Sequence, residues 1–180
     1  MLFRSFTVPS AVPVTVDKLS QLGVSMVVGT TGWLAQLEEV RHMVEARNVG
    51  LVYGSNFSIG VNLFFKLMEQ AAALISRQPM YDPFIYEIHH NQKLDAPSGT
   101  ALSLEKILAA GYGKRKISIA SNRAGHVPGE HTVGFDSEVD TLTFTHTARS
   151  RSGFAAGAIH AAEWIGTRKG LHEFPATLAD

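Results

Sequence analysis

At 180 residues the chain is long enough for one domain or two small ones, and 45% apolar against 18% charged residues marks it as globular, not disordered. Sixteen acidic and sixteen basic residues balance, so bulk charge makes no case for nucleic-acid binding. Cysteine is absent, which excludes disulfides, thiolate catalysis and cysteine-based metal sites and leaves the cytoplasm as the default compartment.

The N-terminus has no basic segment followed by an apolar run, so no signal peptide is expected there. A first helix is expected from Val12 to Leu22, with Pro13 tolerated in its first turn and Gly23 as its stop. Val24 to Val28 is a short continuous apolar run, the pattern of a strand buried on both faces. Leu34, Leu37, Val40 and Val44 repeat at helical spacing and predict a helix up to Arg47; Leu51 to Tyr53 is another short strand. Strand, helix and strand with tight glycine turns make half of a doubly wound α/β domain.

After Asn56 the character changes. Ile59 to Ile75 is a long apolar helix, and Phe84 to His90 reads as a strand. Thr100 to Ala110 is a second helix, capped by Ser98 and stopped by Gly111. Lys116 to Arg123, His131 to Phe135 and Leu142 to Ala148 are strand candidates, and Phe154 to Ile165 is a closing helix. The expected fold is α/β: an incomplete Rossmann-like parallel sheet plus an α+β domain with a roughly four-stranded mixed sheet. Residues 1–56, joined by 152–180, are expected to form one domain, and 57–151 a second. No apolar run approaches the roughly 18 residues of a membrane span.

Chemistry concentrates in Glu87-Ile88-His89-His90-Asn91-Gln92-Lys93-Leu94-Asp95-Ala96-Pro97-Ser98-Gly99-Thr100-Ala101. Alternate residues of an extended chain share a face, so His89, Asn91 and Lys93 project together if the strand persists that far. A histidine gives or takes a proton near neutral pH, and a lysine is an acid or a fixed positive charge. The free N–H groups of Gly99 and Thr100 at a helix start suit an anion. Adjacent histidines at a strand end are otherwise ordinary solvated or core side chains. Gly29-Thr30-Thr31-Gly32 and Gly54-Ser55-Asn56-Phe57 follow the two short strands, where open α/β sheets bind ligands; glycine and threonine are also ordinary turn formers, and Phe57 reads equally as core. Histidines are plentiful (His126, His131, His146 and His160), yet no short metal-ligand pair such as H-E-x-x-H is present, so no metal is expected. Glu130 and His131 read as ordering a loop beside the substrate pocket or a subunit contact.

The fifteen-residue segment resembles the signature of the 4-hydroxy-tetrahydrodipicolinate (dihydrodipicolinate) reductase family of lysine and diaminopimelate biosynthesis. Val28 to Gly32, Ser55 to Asn62, Gly129 to Thr132, and Thr145-His146 through Gly157-Ala158 match in the expected order. The resemblance implies an NADPH- or NADH-dependent reductase of a cyclic dicarboxylate, with His89 as proton donor/acceptor and Lys93 as proton donor. It implies substrate contacts from His90, Ser98, Gly99 and Thr100. Cofactor contacts are implied for Gly29, Thr30, Thr31, Gly54, Ser55, Asn56, Phe57 and Arg151. It also implies that 1–56 with 152–180 is the partial dinucleotide-binding domain and 57–151 the substrate-binding and oligomerisation domain, and that a homotetramer assembles through the second domain's sheet. The family's opening G-x-x-G-x-x-G turn has no counterpart near Phe6-Thr7-Val8-Pro9, so the chain reads as a fragment lacking the first part of the cofactor domain. That loss is expected to expose the face and edge of the Val24 to Val28 strand. The alternative is a catalytically silent dicarboxylate-binding and oligomerisation domain without dinucleotide binding.

Overall fold

The computed structural model describes residues 2–179. In chain order the elements are β1 (Leu2–Ser5), α1 (Ala11–Gln21), β2 (Ser25–Val28), a 3-10 turn (Leu34–Gln36), α2 (Leu37–Ala46), β3 (Gly50–Tyr53) and α3 (Ile59–Ile75). There follow β4 (Asp82–His89), α4 (Gly99–Tyr112), β5 (Ser118–Arg123), β6 (Glu130–Asp136), β7 (Thr141–Thr147), α5 (Ser152–Ile165), β8 (Gly170–Glu173) and a second 3-10 turn (Phe174–Leu178). The chain divides into two compact units, Met1–Asn62 with Ser152–Asp180, and Leu63–Arg151.

The first unit is a parallel sheet of order β1-β2-β3-β8. Every residue of β2 is buried, and alternation assigns its side chains to opposite faces. Met26 and Val28 pack with Val12 and Val16 of α1 and Val40 and Val44 of α2. Val27 packs with Val52 and with Ala158, Ala161 and Ile165 of α5. A continuous apolar run is therefore what a strand between two helical layers requires. Gly23, at φ +67°, turns the chain out of α1 into β2, a conformation that costs glycine nothing.

The expectation that β2 is exposed at its face and edge is overturned. Strand β1 pairs with it in parallel register, Leu2 opposite Ser25 through Ser5 opposite Val28, and the Gly29 N–H donates to the Ser5 carbonyl at 2.9 Å. Neither β1 nor β8 was expected, because each is only four residues long and neither carries a run of buried apolar side chains. The helix expected from Leu34 starts with one 3-10 turn and becomes α-helical at Leu37.

The second unit carries a mixed sheet of order β5-β4-β6-β7, with β4 and β5 parallel and the remaining pairs antiparallel. One face is closed by α3 and α4: Met68, Ala72, Leu104 and Leu108 pack on Ile85, Val133 and Phe135. Gly111 does not stop α4. A Cβ there would lie 3.1 Å from the Ala72 carbonyl oxygen, so this glycine lets α4 approach α3 closely, and the helix runs on to Tyr112 before Gly113, at φ +63°, ends it.

In α5, a Cβ at Gly157 would overlap the Phe57 carbonyl, whereas one at Gly153 would meet nothing nearer than the Ser58 hydroxyl at 3.9 Å. Gly157→Ala is expected to destabilise the fold by about 1–3 kcal/mol, although alanine is the better helix former by ~1 kcal/mol. Gly153→Ala should leave the thermal midpoint unchanged or slightly raised. Equal midpoints for the two variants in thermal denaturation would contradict the close approach of α5.

Candidate functional site

Strand β4 alternates, with Pro83, Ile85, Glu87 and His89 buried and their neighbours partly exposed. The first two inward positions are apolar; the next two bring a carboxylate and an imidazole to the end of the same row. Glu87 is completely buried (0% exposed), so its charge must be met by donors. Its Oε1 accepts from the Ser98 N–H at 3.0 Å, the Ser121 hydroxyl at 2.8 Å and an Arg123 Nη2–H at 3.0 Å. Burial alone would raise its pKa; these donors outweigh burial and bring it down to about 2. The other oxygen, Oε2, has no hydrogen-bond partner and lies 3.5 Å from His89 Nδ1 and 3.4 Å from His131 Nε2.

Both imidazoles are buried, and their rings meet edge to face at 5.0 Å. Burial lowers the His89 pKa, opposed by the Glu87 carboxylate and reinforced by Lys93 and Arg123. Burial, with His89 alongside, pushes His131 down to about 4. At neutral pH this is an anionic carboxylate facing two neutral imidazoles. His131 Nε2 is also 3.1 Å from the Ser98 hydroxyl, which accepts from the Ala101 N–H and so caps α4. Ser98 thus fulfils its expected N-cap role, and the Gly99 and Thr100 N–H groups are left without intrahelical acceptors. Open space surrounds the position a Cβ would take at Gly99.

The structure does not place His89, Asn91 and Lys93 on one face. Strand β4 ends at His89, and a turn follows in which the Lys93 N–H donates to the His90 carbonyl at 3.1 Å. The residue sharing a face with His89 is Glu87, two positions earlier rather than later. Lys93 instead reaches Asp95 (Nζ to Oδ1, 2.7 Å), beside the almost fully exposed Leu94. The Lys93 hydrogen bond holds the Asp95 carboxyl below its usual range. Arg123 donates to the Asp95 carbonyl at 2.5 Å, so one guanidinium joins this loop to Glu87. His90 and Thr100 are half-buried.

Glu87, Ser121 and Arg123 were not singled out from sequence, and His131 was given only a loop role. The alternation that was extended forward from His89 would have found Glu87 if extended backward; nothing local marks Ser121 or Arg123. Glu87, His89 and His131 each offer a metal-ligating atom, all within 4.8 Å of one another, a set that no short spacing motif reveals because His131 belongs to β6. The Arg123 guanidinium on the same carboxylate opposes a second cation there.

In the first unit, the loops after β2 and β3 emerge side by side at the carboxyl edge of the parallel sheet, joined by the Gly54 N–H donating to the Val28 carbonyl at 3.2 Å. Thr31 and Ser55 are exposed there. Thr30 is buried, and its hydroxyl accepts from the Thr7 N–H at 2.8 Å. The Phe6 ring fills the space a Cβ would need at Gly29. The Asn56 side chain accepts from the Ser58 N–H at 2.9 Å, and Phe57 is core, packed on Phe174 at 4.7 Å between centroids. Arg151 is exposed in the turn before α5. Among the described residues no helix is long and apolar enough to cross a membrane.

Residues 5–57 match the family model described as dihydrodipicolinate reductase, N-terminus, and residues 60–178 the one described as dihydrodipicolinate reductase, C-terminus. The 4-hydroxy-tetrahydrodipicolinate reductase of Christiangramia forsetii is 38% identical, over 97% of this chain and 78% of that protein. The protein of the same name from Nitrosomonas eutropha is 36% identical, over 91% of this chain and 67% of that protein. Among solved structures, dipicolinate-bound dihydrodipicolinate reductase from Paenisporosarcina sp. TG-14 superposes with a TM-score of 0.83 at 28% identity, covering 96% of this chain and 71% of that one.

The electrostatics predict acid sensitivity in two windows. His131 is folded-state neutral down to about pH 4, so stability present above its ordinary value of 6.5 is lost as pH falls between the two. Glu87 contributes stability present above 4.5 and lost as pH falls towards about 2, on the order of 3 kcal/mol. Urea unfolding followed across pH should show both declines, and Glu87→Gln should flatten the lower one. A lower decline of the same size in that variant would remove Glu87 as its cause.

Proposed function

Because the chain belongs to the dihydrodipicolinate reductase family, we propose that His89 and Lys93 handle the protons of its reaction and that the start of α4 receives a substrate carboxylate. The function is reduction of 4-hydroxy-tetrahydrodipicolinate to tetrahydrodipicolinate in lysine and diaminopimelate biosynthesis, with NADPH or NADH as reductant. The observation that carries the site assignment is the common anchorage of His89 and the Ser98 cap on Glu87. It holds a proton-transfer group and a pair of open helix N–H groups in one frame.

The cofactor supplies the hydride when bound. A proton must reach the neighbouring ring carbon, and an imidazole of lowered pKa releases one readily once charged. The Lys93 ammonium supplies the proton with which the 4-hydroxyl departs as water in the elimination that precedes hydride transfer, the ring C–H proton lost in that elimination passing to solvent, and it opposes the charge of a dicarboxylate. Gly99 and Thr100 meet one carboxylate through backbone N–H groups, helped by the positive end of α4, with His90 and Ser98 at its margin. The dipicolinate bound to the Paenisporosarcina enzyme is a dicarboxylate, the ligand class these groups suit. The exposed hydroxyls of Thr31 and Ser55 at the sheet's carboxyl edge fit the polar rim of a dinucleotide, whose contacts we assign to Gly29, Thr30, Thr31, Gly54, Ser55, Asn56, Phe57 and Arg151. Of these, Thr30, Asn56 and Phe57 are tied into their own loops and shape the backbone more than they present side chains. The reading extends to a cytoplasmic homotetramer joined through the β5-β4-β6-β7 sheet, which sedimentation velocity would check.

One observation favours a second reading. The Phe6 ring lies where Gly29 would let a cofactor approach its backbone, as suits a dicarboxylate-binding domain without dinucleotide affinity. A single titration with NADH and NADPH, with and without pyridine-2,6-dicarboxylate, separates the two. Dinucleotide binding strengthened by the dicarboxylate is expected for the reductase. Binding of the dicarboxylate alone would favour the second reading, and a folded protein binding neither would sink both. In the reductase assay His89→Ala should lower kcat by about 10²–10⁴-fold while dicarboxylate binding survives.

A further inference from the structure

We propose that Glu87 is the positioning residue of this site, holding His89 in the tautomer protonated on Nδ1 while fixing the α4 start and the Lys93 loop around it. The proposal rests on the assignment of His89 as the proton-transfer group. Glu87 touches neither substrate nor cofactor in this reading; it acts through its neighbours.

The two carboxylate oxygens have different tasks. Oε1 takes three donors from two separate segments: the Ser98 N–H at the start of α4, and the Ser121 hydroxyl and the Arg123 guanidinium on β5. Through the bond from Arg123 to the Asp95 carbonyl, and Asp95's own bond with Lys93, the carboxylate is linked to the loop that carries the lysine. Fixed in this way, the side chain cannot turn, and Oε2 is left unpartnered and fully buried between His89 Nδ1 and His131 Nε2. A buried acceptor lone pair on either nitrogen would repel that oxygen, so each carries its proton on the atom facing the carboxylate. At 3.5 Å the His89 contact is long for a hydrogen bond, and a shift of a few tenths of an ångström closes it as the imidazole becomes charged.

The consequence for His89 is that Nε2 is the working nitrogen. Gly129, at φ +145°, borders that atom: a Cβ there would lie 3.0 Å from Nε2, so the glycine keeps it uncovered. The groups facing His89 are Glu87 on its own strand, Lys93 and Asp95 on the loop, Arg123 on β5 and His131 on β6. Glu87 and Asp95 favour the charged imidazole, and Lys93 and Arg123 oppose it. Removing the Glu87 charge therefore lowers the His89 pKa further. In the reductive direction the protonated form is the donor, so the limb of activity lost on raising the pH must move to lower pH.

Glu87→Gln is the direct test: glutamine keeps an oxygen for Ser98, Ser121 and Arg123, removes the charge, and sets an amide NH2 donor where Oε2 faced the two imidazoles. With folding verified by circular dichroism, kcat at pH 7.5 should fall by about ten- to a hundredfold with KM for the substrate little changed. The alkaline limb of the kcat profile should move to lower pH, and the His89 imidazole, followed by NMR, should titrate at lower pH as well. Gln21→Ala, at an exposed position of α1 outside the site, should leave both profiles in place. His89→Ala measured in parallel separates the two ideas: an active His89→Ala variant would overturn the His89 assignment itself. An inactive one, with unchanged profiles in Glu87→Gln, would overturn only the positioning role. If Glu87→Gln does not fold, nitrogen-15 shifts of His89 in the unaltered protein decide. Protonation on Nδ1 in the neutral form is expected, and protonation on Nε2 would refute the proposal.

Discussion

A carboxylate with no access to water has to be answered by the protein, and the answer given to Glu87 organises the second unit. Removing such a charge from solvent costs several kcal/mol unless donors replace the water. Three donors do so here, one from the start of α4 and two from β5. The sheet register that puts β4 beside β5 sets Glu87 opposite Ser121 and His89 opposite Arg123. The antiparallel register with β6 sets Glu87 opposite His131. Backbone pairing and side-chain electrostatics therefore enforce each other: a slip of one residue would turn the carboxylate out of the row and leave its donors unanswered.

Satisfaction is deliberately uneven. One oxygen is saturated and the other is open, and the imbalance turns a structural ion pair into a device that acts on two imidazoles. Buried side chains with unpartnered polar atoms are uncommon in native folds, and they gather where chemistry needs a poised group. Among such atoms here are Glu87 Oε2 and His89 Nδ1, facing each other, and Arg123 Nε on the same cluster. The apolar half of the same strand and the helices above it provide rigidity: Ile85 is packed against Leu104, Leu108 and Val133, so the row on which Glu87 and His89 sit cannot drift. The first unit solves a simpler problem. Its β2 strand is apolar throughout because helices lie on both faces, and the polar groups gather at the strand ends, in the loops after β2 and β3.

Much of this was legible in the residues themselves. The long helix Ile59–Ile75, the buried strand ending at Val28, the Ser98 cap and the three strands after α4 follow from periodicity, apolar runs and capping chemistry, which are properties of neighbours in the chain. His89, Lys93 and the glycine at the helix start stood out because they are residue types suited to proton transfer and anion binding, set close together. The failures share one cause. Strands β1 and β8 are short and make sense only as partners of β2 and β3, the helix stop assigned to Gly111 gave way to a close contact with Ala72, and the strand through His89 was continued past its true end.

What the sequence determined alone, then, is local: which segments coil, which extend, where α4 begins, and that an imidazole and an ammonium lie within a few residues of that start. Tertiary structure decided the rest. Whether Glu87 is a surface charge or the hub of a site depends on Ser121, Arg123 and His131, which reach it only through the pairing of β4 with β5 and β6. Whether Lys93 shares a face with His89 depends on where pairing with β5 and β6 stops. Hydrogen-bond geometry and desolvation arise between residues distant in the chain, so no local pattern encodes them, and the state of the His89 proton is settled by the fold.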